Sequence, residues 1–219
     1  MERPILFNTA MVQAIMAGNK TQTRRIVKRS GNTPDFYKRN KFHKLVDQLN
    51  NKTALFAGFY KDSDVFMHEG KEVIDALYFK APCQVGDVLW VRETWQHSEC
   101  FDSSVENQYC YKEHDCDREM AEAFKIKWKP SIHMPRKAAR IFLKVINVRC
   151  ERLQDITDIQ ALSEGVKQNN LGDHLAGIPI KTFAELWESL KPEAGYTWFD
   201  NPWVWVIEFK RVEGLYVKQ

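Results

Sequence analysis

The segment Gly18-Asn19-Lys20-Thr21-Gln22-Thr23-Arg24-Arg25 joins a short amphipathic helix to a β-strand. Gly18 is placed to end the helix, and Thr23 and Arg25 then alternate with Arg24 as the residues of a strand do. A lysine close to a hydroxyl, with further cations beside them, can activate a nucleophile or bind a phosphate. The segment is therefore the first candidate for a functional site.

The spacing of Lys20 and Thr23 restricts how the two side chains can meet. They are three residues apart, so on one continuous strand they would point to opposite faces. They can approach each other only if Lys20 lies in the turn after the helix and Thr23 begins the strand. A lysine acts as a general base only when neutral, and burial or neighbouring cations such as Arg24 and Arg25 lower its pKa. The alternative is an exposed lysine and arginine beside a β-favouring threonine.

A second candidate, Glu93, lies in a strand predicted within residues 85–95. Period-2 alternation puts Glu93 on the same face as Val91, so we expect its carboxylate to be buried. A buried carboxylate needs a partner, and Lys20 or Arg25 could supply it. In that setting Glu93 could orient a lysine or activate a water. A structural ion pair between two strands is the alternative.

The third candidate is the segment Pro130-Ser131-Ile132-His133-Met134-Pro135-Arg136, which its prolines predict to be rigid and non-helical. His133 could stack on a base or hydrogen-bond to it, and Arg136 could contact a phosphate. Ser131 belongs to the same candidate surface. A lone histidine is more often a satisfied loop residue, which is the competing interpretation.

Positive charge is concentrated near the N-terminus, although the formal net charge is only +3. Residues 20–44 contain nine Lys/Arg and one acid, Asp35. The nine are Lys20, Arg24, Arg25, Lys28, Arg29, Lys38, Arg39, Lys41 and Lys44. Such an excess is typical of a polyanion-binding face, with Lys38, Arg39 and Lys41 as candidate contacts. A solvated surface loop is the alternative.

Composition favours a globular protein of the cytoplasm. The chain has 219 residues, 44% hydrophobic and 28% charged, which suits one sizeable domain. No apolar run is long enough to span a membrane, and the N-terminus lacks an apolar secretory stretch. The five cysteines include no Cys-x-x-Cys pair, so we expect reduced thiols. The spacing of Cys110, His114 and Cys116 matches no familiar zinc pattern, and we predict no metal site.

The hydrophobic patterns predict an α+β protein with a largely antiparallel sheet curled into a barrel. Strands are expected at residues 3–7, 140–149 and 203–212, besides those described above. Thr157 and Gln160 form a capping box for a helix ending near Gly165, and a second helix spans residues 180–190. Two polar insertions, at about 29–83 and 96–127, interrupt this single domain, the first with a helix around residues 42–49.

Four segments together resemble the ASCH family of the PUA-like superfamily, in the versions found in phage and prophage genomes. They are Lys-Thr-x-Thr-Arg-Arg from residue 20, Gly-Asp-x-Leu-Trp-Val-Arg-Glu from residue 86, Ser-Ile-His-Met-Pro-Arg from residue 131 and Asn-Pro-Trp-Val-Trp-Val from residue 201. The resemblance covers about residues 1–28, 84–95, 128–153 and 180–212. It implies a β-barrel flanked by a few helices, with a cleft that receives RNA or a modified nucleoside.

The resemblance also implies a chemistry. Small bacterial members hydrolyse cytidine acylated at its exocyclic nitrogen, using a lysine, a threonine three residues later and a glutamate from a following strand. Lys20, Thr23 and Glu93 occupy the matching positions, with Arg24 and Arg25 as substrate contacts and no metal or cofactor. Lys20 would deprotonate Thr23 or a water, while Glu93 would hold Lys20. Other relatives are ribonucleases or RNA-binding modules, so a nuclease and a non-catalytic binder stay open.

Overall fold

The computed structural model is a mixed α+β protein with a mostly β-sheet core and a few helices at its margins. The structure describes residues 1–27, 44–49, 53–58, 67–68, 71–72, 75–97, 109–123, 125, 127–166, 178–193 and 195–212. Within residues 44–78 the description is limited to the backbone. The candidate contacts Lys38, Arg39 and Lys41 lie outside the described residues.

The described residues form twelve strands and four α-helices. The strands are β1 Glu2–Leu6, β2 Gln22–Ile26, β3 Lys44–Leu49, β4 Thr53–Gly58, β5 Met67–His68, β6 Lys71–Glu72, β7 Asp75–Lys80, β8 Val88–Arg92, β9 Trp95–His97, β10 Tyr109–Tyr111, β11 Phe142–Arg152 and β12 Trp203–Val212. The helices are α1 Thr9–Met16, α2 Asp115–Ala123, α3 Asp158–Ser163 and α4 Ile178–Ser189. Single turns of 3-10 helix lie at Ser131–His133, Arg136–Ala138 and Leu153–Asp155.

A five-stranded sheet in the order β1-β8-β11-β12-β2 carries the candidate site residues. β1 runs parallel to β8, and the other neighbours are antiparallel. The strands predicted at residues 3–7, 85–95, 140–149 and 203–212 correspond to β1, β8, β11 and β12. The bounds of β12 are those expected from its pattern of apolar residues.

The two faces of this sheet are buried by different parts of the chain. Leu143 of β11 and Phe209 of β12 face an inner core that also contains Val91 of β8. Val204 and Val206 point to the outer face, where α3 and α4 cover them. Because successive strand residues point to opposite faces, β12 is apolar on both sides where helices cover it. Burying each of these large side chains contributes about 1.5–3 kcal/mol.

Side-chain caps begin the helices on either side of Lys20. Asn8 caps α1 by accepting a hydrogen bond from the amide of Met11 at 2.9 Å. Gly18, at φ +77°, follows the end of α1 in a conformation that favours glycine. Thr157 and Gln160 form the predicted capping box of α3, with both reciprocal hydrogen bonds present. These local signals confirm where the sequence places the two helices.

α4 agrees with the helix predicted at residues 180–190, shifted by about one turn at most. Phe183 and Trp187 are buried against the outer face of the sheet. Leu190, which the helical stripe includes, is 52% exposed because α4 ends at Ser189. Among the described helices, none combines the length and the apolar character that crossing a membrane requires.

The first insertion contains β-sheet where the sequence predicted a helix. Lys44–Leu49 forms β3, an edge strand of a three-stranded antiparallel sheet in the order β3-β4-β7. The prediction of a helix around residues 42–49 is therefore wrong. Pairing with β4 satisfies the backbone hydrogen-bonding groups of this six-residue segment in the strand conformation. Phe79, Ala81 and Cys83, at the end of the predicted insertion, belong to the inner core.

The second insertion adds the β9–β10 hairpin and α2 beside the central sheet. Trp95, Met134 and Ala138 form a small separate core there, against which Tyr109 and Tyr111 pack. The hydroxyl of Tyr111 donates to the carbonyl of Ala138 at 2.8 Å. This part of the insertion therefore holds the Ser131–Ala138 segment in place.

Gly165 should tolerate alanine worse than another left-handed glycine does. Gly165 has φ +87°, and a Cβ there would lie 2.7 Å from Ala14 Cβ and 3.0 Å from Lys20 Cβ. Gly195 has φ +90° with no atom within 4 Å of a Cβ. We expect Gly195→Ala to lose about 1–2 kcal/mol from backbone strain, and Gly165→Ala about 1–3 kcal/mol more from overlap. Urea unfolding measures both, and equal losses would contradict this packing.

Candidate functional site

Lys20 lies at the edge of the central sheet with its ammonium fully enclosed. Its backbone forms an isolated antiparallel bridge with Glu164, just beyond the end of α3. Its Nζ donates to the carbonyl oxygen of Glu164 and to Oε2 of the same residue, both at 2.7 Å. The Lys20 side chain is 0% exposed. Lys20 follows the turn at residues 17–18 and precedes β2, and its carboxylate partner is a residue that the sequence did not single out.

Arg24 completes the ion cluster around Glu164. Its Nη1 donates to Glu164 Oε1 at 3.0 Å, and its Nη2 donates to Glu151 Oε1 at 2.5 Å. The Arg24 side chain is 0% exposed and faces the outer side of the sheet beneath α3. The positive charges of Lys20 and Arg24 are therefore matched by the carboxylates of Glu164 and Glu151. The expectation that Arg24 contacts a nucleic acid or substrate is wrong, because burial and two carboxylates keep it from solvent.

Thr23 and Arg25 lie on the inner face of β2 and contact each other. Arg25 Nη1 donates to Thr23 Oγ1 at 2.7 Å, and Nη2 donates to the carbonyl of Leu6 at 2.9 Å. The second bond joins β2 to the end of β1, the opposite edge strand of the sheet. The Phe7 ring lies 5.3 Å from the Arg25 guanidinium and 5.7 Å from Lys20 Nζ. Hydroxyl, guanidinium, amine and ring thus occupy one region.

Glu93 is buried as predicted, but its partner is Arg140. Arg140 Nε donates to Glu93 Oε1 at 3.0 Å, and Nη2 donates to Oε2 at 2.9 Å. Nη2 also donates to Glu113 at 2.8 Å. The expectation that Lys20 or Arg25 pairs with Glu93 is wrong, because Arg140 offers a planar two-point contact from the start of β11.

Phe7 contacts the Lys20 and Arg25 region through its ring and the residue before Glu93 through its amide. Its amide donates to the carbonyl of Arg92 at 3.2 Å, next to Glu93, while its ring contacts Lys20 and Arg25. The structure therefore brings Thr23 into contact with Arg25, and Arg25 and Lys20 to one ring. Glu93 directly follows Arg92, and among the described residues its carboxylate is bonded to Arg140 and not to Lys20 or Thr23.

Burial shifts the pKa values of Lys20 and Glu93 in the direction that favours the neutral form of each group. Burial lowers the pKa of Lys20 from its ordinary value, against the opposing effect of Glu164. Burial raises the pKa of Glu93 from its ordinary value, against the opposing hydrogen bonds from Arg140. The lysine is thus shifted toward its neutral form, which is the form a general base needs.

Ser131, His133 and Arg136 lie on the outside of the protein. Ser131–His133 forms one turn of 3-10 helix, so the expectation of a non-helical segment is corrected in part. His133 is exposed. Arg136 makes a two-point ion pair with Glu2 and stacks on Phe142 at 4.4 Å. Arg136 is therefore already engaged, because its proline-bounded turn places it against β1 and β11.

Sequence reasoning missed Glu164, Glu151 and Arg140 as partners of the candidate residues. Glu164 precedes the glycine that ends α3, and its side chain carries no motif. Each of the three lies far along the chain from its partner, and only the sheet brings them together. The one available signal for these partners was the burial of Lys20 and Arg24, because a buried cation requires a carboxylate nearby.

Comparison with known proteins leaves these motifs without outside support. No protein-family model, no curated protein and no solved structure matches the chain.

In the described part of the chain, no three His, Cys, Asp or Glu side chains are arranged to hold a metal ion. Cys83, Cys110 and Cys150 are buried, and burial raises the pKa of Cys83 to about 11.

Proposed function

We propose that this chain is an ASCH-type, PUA-like protein that binds RNA or a modified nucleoside. We propose further that the group around Lys20, Thr23 and Arg25 is a candidate amidohydrolase site for N4-acylated cytidine. The α+β fold with a mostly antiparallel central sheet is compatible with a PUA-like barrel. The four motif segments lie on β2, β8, β12 and the Ser131–Ala138 turns, around that sheet.

One observation carries the catalytic proposal: Arg25 donates to Thr23 Oγ1 while sharing the Phe7 ring with a buried lysine. A guanidinium donor to a hydroxyl oxygen stabilises the negative charge that develops when the hydroxyl loses its proton. Burial lowers the pKa of Lys20 against the opposing effect of Glu164, so its proton is easier to lose than that of an exposed lysine. These are the two requirements for an activated threonine or water.

The reaction would consume one water for each acyl group. The Lys20 ammonium first passes a proton to the Glu164 carboxylate, which lies 2.7 Å from it. The neutral amine then takes the proton of the Thr23 hydroxyl or of a water, and the resulting oxygen attacks the acyl carbonyl carbon. The bond from this carbon to the exocyclic nitrogen breaks, and that nitrogen leaves with the proton held by Lys20. An ester on Thr23, where one forms, is released by water. The products are cytidine and a carboxylic acid.

Glu164 takes the place that the resemblance assigned to Glu93. Its contacts with Lys20 Nζ fix the position of the amine. Arg24 and Lys20 share the Glu164 carboxylate, which weakens its hold on the lysine proton. Glu93 is held instead by two hydrogen bonds from Arg140.

Turnover of N4-acylated cytidines tests the catalytic proposal. We expect Thr23→Val to lower kcat/KM about 100-fold or more, because valine keeps the shape and removes the nucleophile or its orienting hydroxyl. Thr23→Ser keeps the hydroxyl and is the matched control, expected to retain most activity. Circular dichroism checks that both variants fold. Equal rates for Thr23→Val and the parent protein would refute the assignment.

A non-catalytic binding module is the second candidate. It is favoured by the complete burial of Lys20 and by the two contacts that Glu164 makes with its ammonium. In this case the parent protein binds cytidine derivatives or RNA and releases no carboxylic acid from any acylated cytidine. Calorimetry and product analysis on the same samples separate the two functions.

A further inference from the structure

Part of the outer face of the central sheet is left uncovered by α3 and α4. We name it the outer β8 surface. Its members are Pro4, Leu6, Trp90, Arg92, Lys144 and Lys210, which the strand registers place on one side of the sheet. The inner-face neighbours Leu89, Val91 and Leu143 are buried. Lys20, Thr23 and Arg25 belong to β2 and the residues before it, and within the described residues Arg25 contacts this surface only through the backbone carbonyl of Leu6.

Two lysines on this surface lie directly opposite each other. Lys144 of β11 is the register partner of Lys210 of β12, and both side chains are exposed. Like charges at directly opposite positions destabilise an antiparallel pair. Within the described residues, neither ammonium is in an ion pair. Contacts within the described residues therefore do not explain why two lysines face each other here. The two ammonium groups could bind an external anion.

The acids nearby are already engaged. Glu2, beside Val88 on the same face, is paired with Arg136, which lowers the pKa of its carboxyl. Glu208, two residues before Lys210, is paired with Arg149. Because these acids are paired elsewhere, the outer β8 surface carries a net positive charge. Charge complementarity selects an anionic partner.

An aromatic platform lies next to these cations. Trp90 is half-buried between Pro4 of β1 and Phe142 of β11. The Arg92 guanidinium lies 5.2 Å from the Trp90 ring, and its Nε donates to the carbonyl of Met134 at 3.1 Å. Within the part of the chain described, Arg92 has no carboxylate partner. Aromatic rings beside unpaired cations are the chemistry of single-stranded nucleic-acid grooves.

We infer that the outer β8 surface binds single-stranded RNA, with phosphates at Lys144, Lys210 and Arg92 and a base on Trp90. The inference rests on the proposed function for the class of ligand and adds a contact surface outside the Lys20 site. Phosphate contacts give salt-dependent affinity, and stacking on Trp90 gives a contribution that needs bases. The two contributions can be measured separately.

Charge reversal tests the phosphate contacts. We expect Lys144→Glu/Lys210→Glu to weaken binding of a short labelled single-stranded RNA at least about tenfold, and to reduce the salt slope by about two. The matched control is Lys181→Glu/Lys191→Glu, the same charge change on exposed lysines of α4 and its end. Fluorescence anisotropy over a salt series measures both. Equal affinities for the two double variants would overturn the inference.

Stacking is tested at Trp90. We expect Trp90→Ala to weaken RNA binding about tenfold and Trp90→Phe to weaken it little. Inorganic polyphosphate, which has no bases, should bind both variants alike. A DNA strand of the same sequence shows whether the 2′-hydroxyl contributes. Equal loss of RNA and polyphosphate binding in Trp90→Ala would contradict the platform. These titrations measure binding and not turnover. They therefore test the RNA-binding surface even if the protein does not hydrolyse acylated cytidine.

Discussion

Glu164→Ala should reduce the free energy of unfolding by about 3–5 kcal/mol. The Glu164 carboxylate is the only acid that contacts Lys20 among the described residues, and it also contacts Arg24. Both cations have side chains that are 0% exposed. Removing the carboxylate leaves a buried ammonium without a counter-charge and a buried guanidinium with one carboxylate partner among the described residues, Glu151. An unpaired charge in such a place costs far more than a lost surface ion pair.

Urea unfolding of the parent protein and the variants measures this loss. The matched control is Glu185→Ala, on the exposed side of α4, which should change stability by no more than about 0.5 kcal/mol. The double variant Glu164→Ala/Lys20→Met removes the unpaired ammonium and should recover part of the loss. A Glu164→Ala protein as stable as Glu185→Ala would show that this ion cluster does not hold α3 to β2.

Arg140→Met should be destabilising to a similar degree, about 3–5 kcal/mol near neutral pH. Arg140 supplies both hydrogen bonds to the Glu93 carboxylate, which is 1% exposed. Burial already raises the pKa of Glu93, and the arginine opposes that rise. Without Arg140 the folded-state pKa of Glu93 rises further above its unfolded value of about 4.3.

The sign of the pH dependence follows from this rise. An acid whose pKa is higher in the folded state favours folding when protonated, so its contribution is complete below the unfolded pKa and is lost as pH rises through the folded pKa. The deficit of Arg140→Met should therefore be smallest near about pH 4 and grow toward pH 7. Unfolding curves at several pH values, with exposed Arg211→Met as control, measure it. A deficit that does not change with pH would contradict an unpaired Glu93.

Local features of the fold could be predicted because their causes lie within a few residues. The cap of α3 by Thr157 and Gln160 joins groups three residues apart, and Gly18 acts through its own φ angle. Period-2 alternation likewise predicted the burial of Glu93 and Val91. The helix expected at residues 42–49 failed because strand β3 depends on β4, a neighbour that its own six residues do not specify.

The partners of the candidate site could not be predicted in this way. Lys20 meets Glu164 across 144 residues of sequence, and Glu93 meets Arg140 across 47. Nothing in the pattern around Glu164 distinguishes it from other acids. An ion pair depends on side-chain positions to within about an ångström, and those positions follow from how the strands and helices pack in the whole fold.

By itself, the sequence determined the elements around the site: the turn at Lys20, the strand through Thr23 and the inward direction of Glu93. Only the tertiary structure decided which charges meet, and it divided the expected Lys20–Thr23–Glu93 group by pairing Lys20 with Glu164 and Glu93 with Arg140. The physical reason is range. Backbone conformation is set mainly by neighbouring residues, whereas burial forces each charge to find a partner wherever the fold brings one.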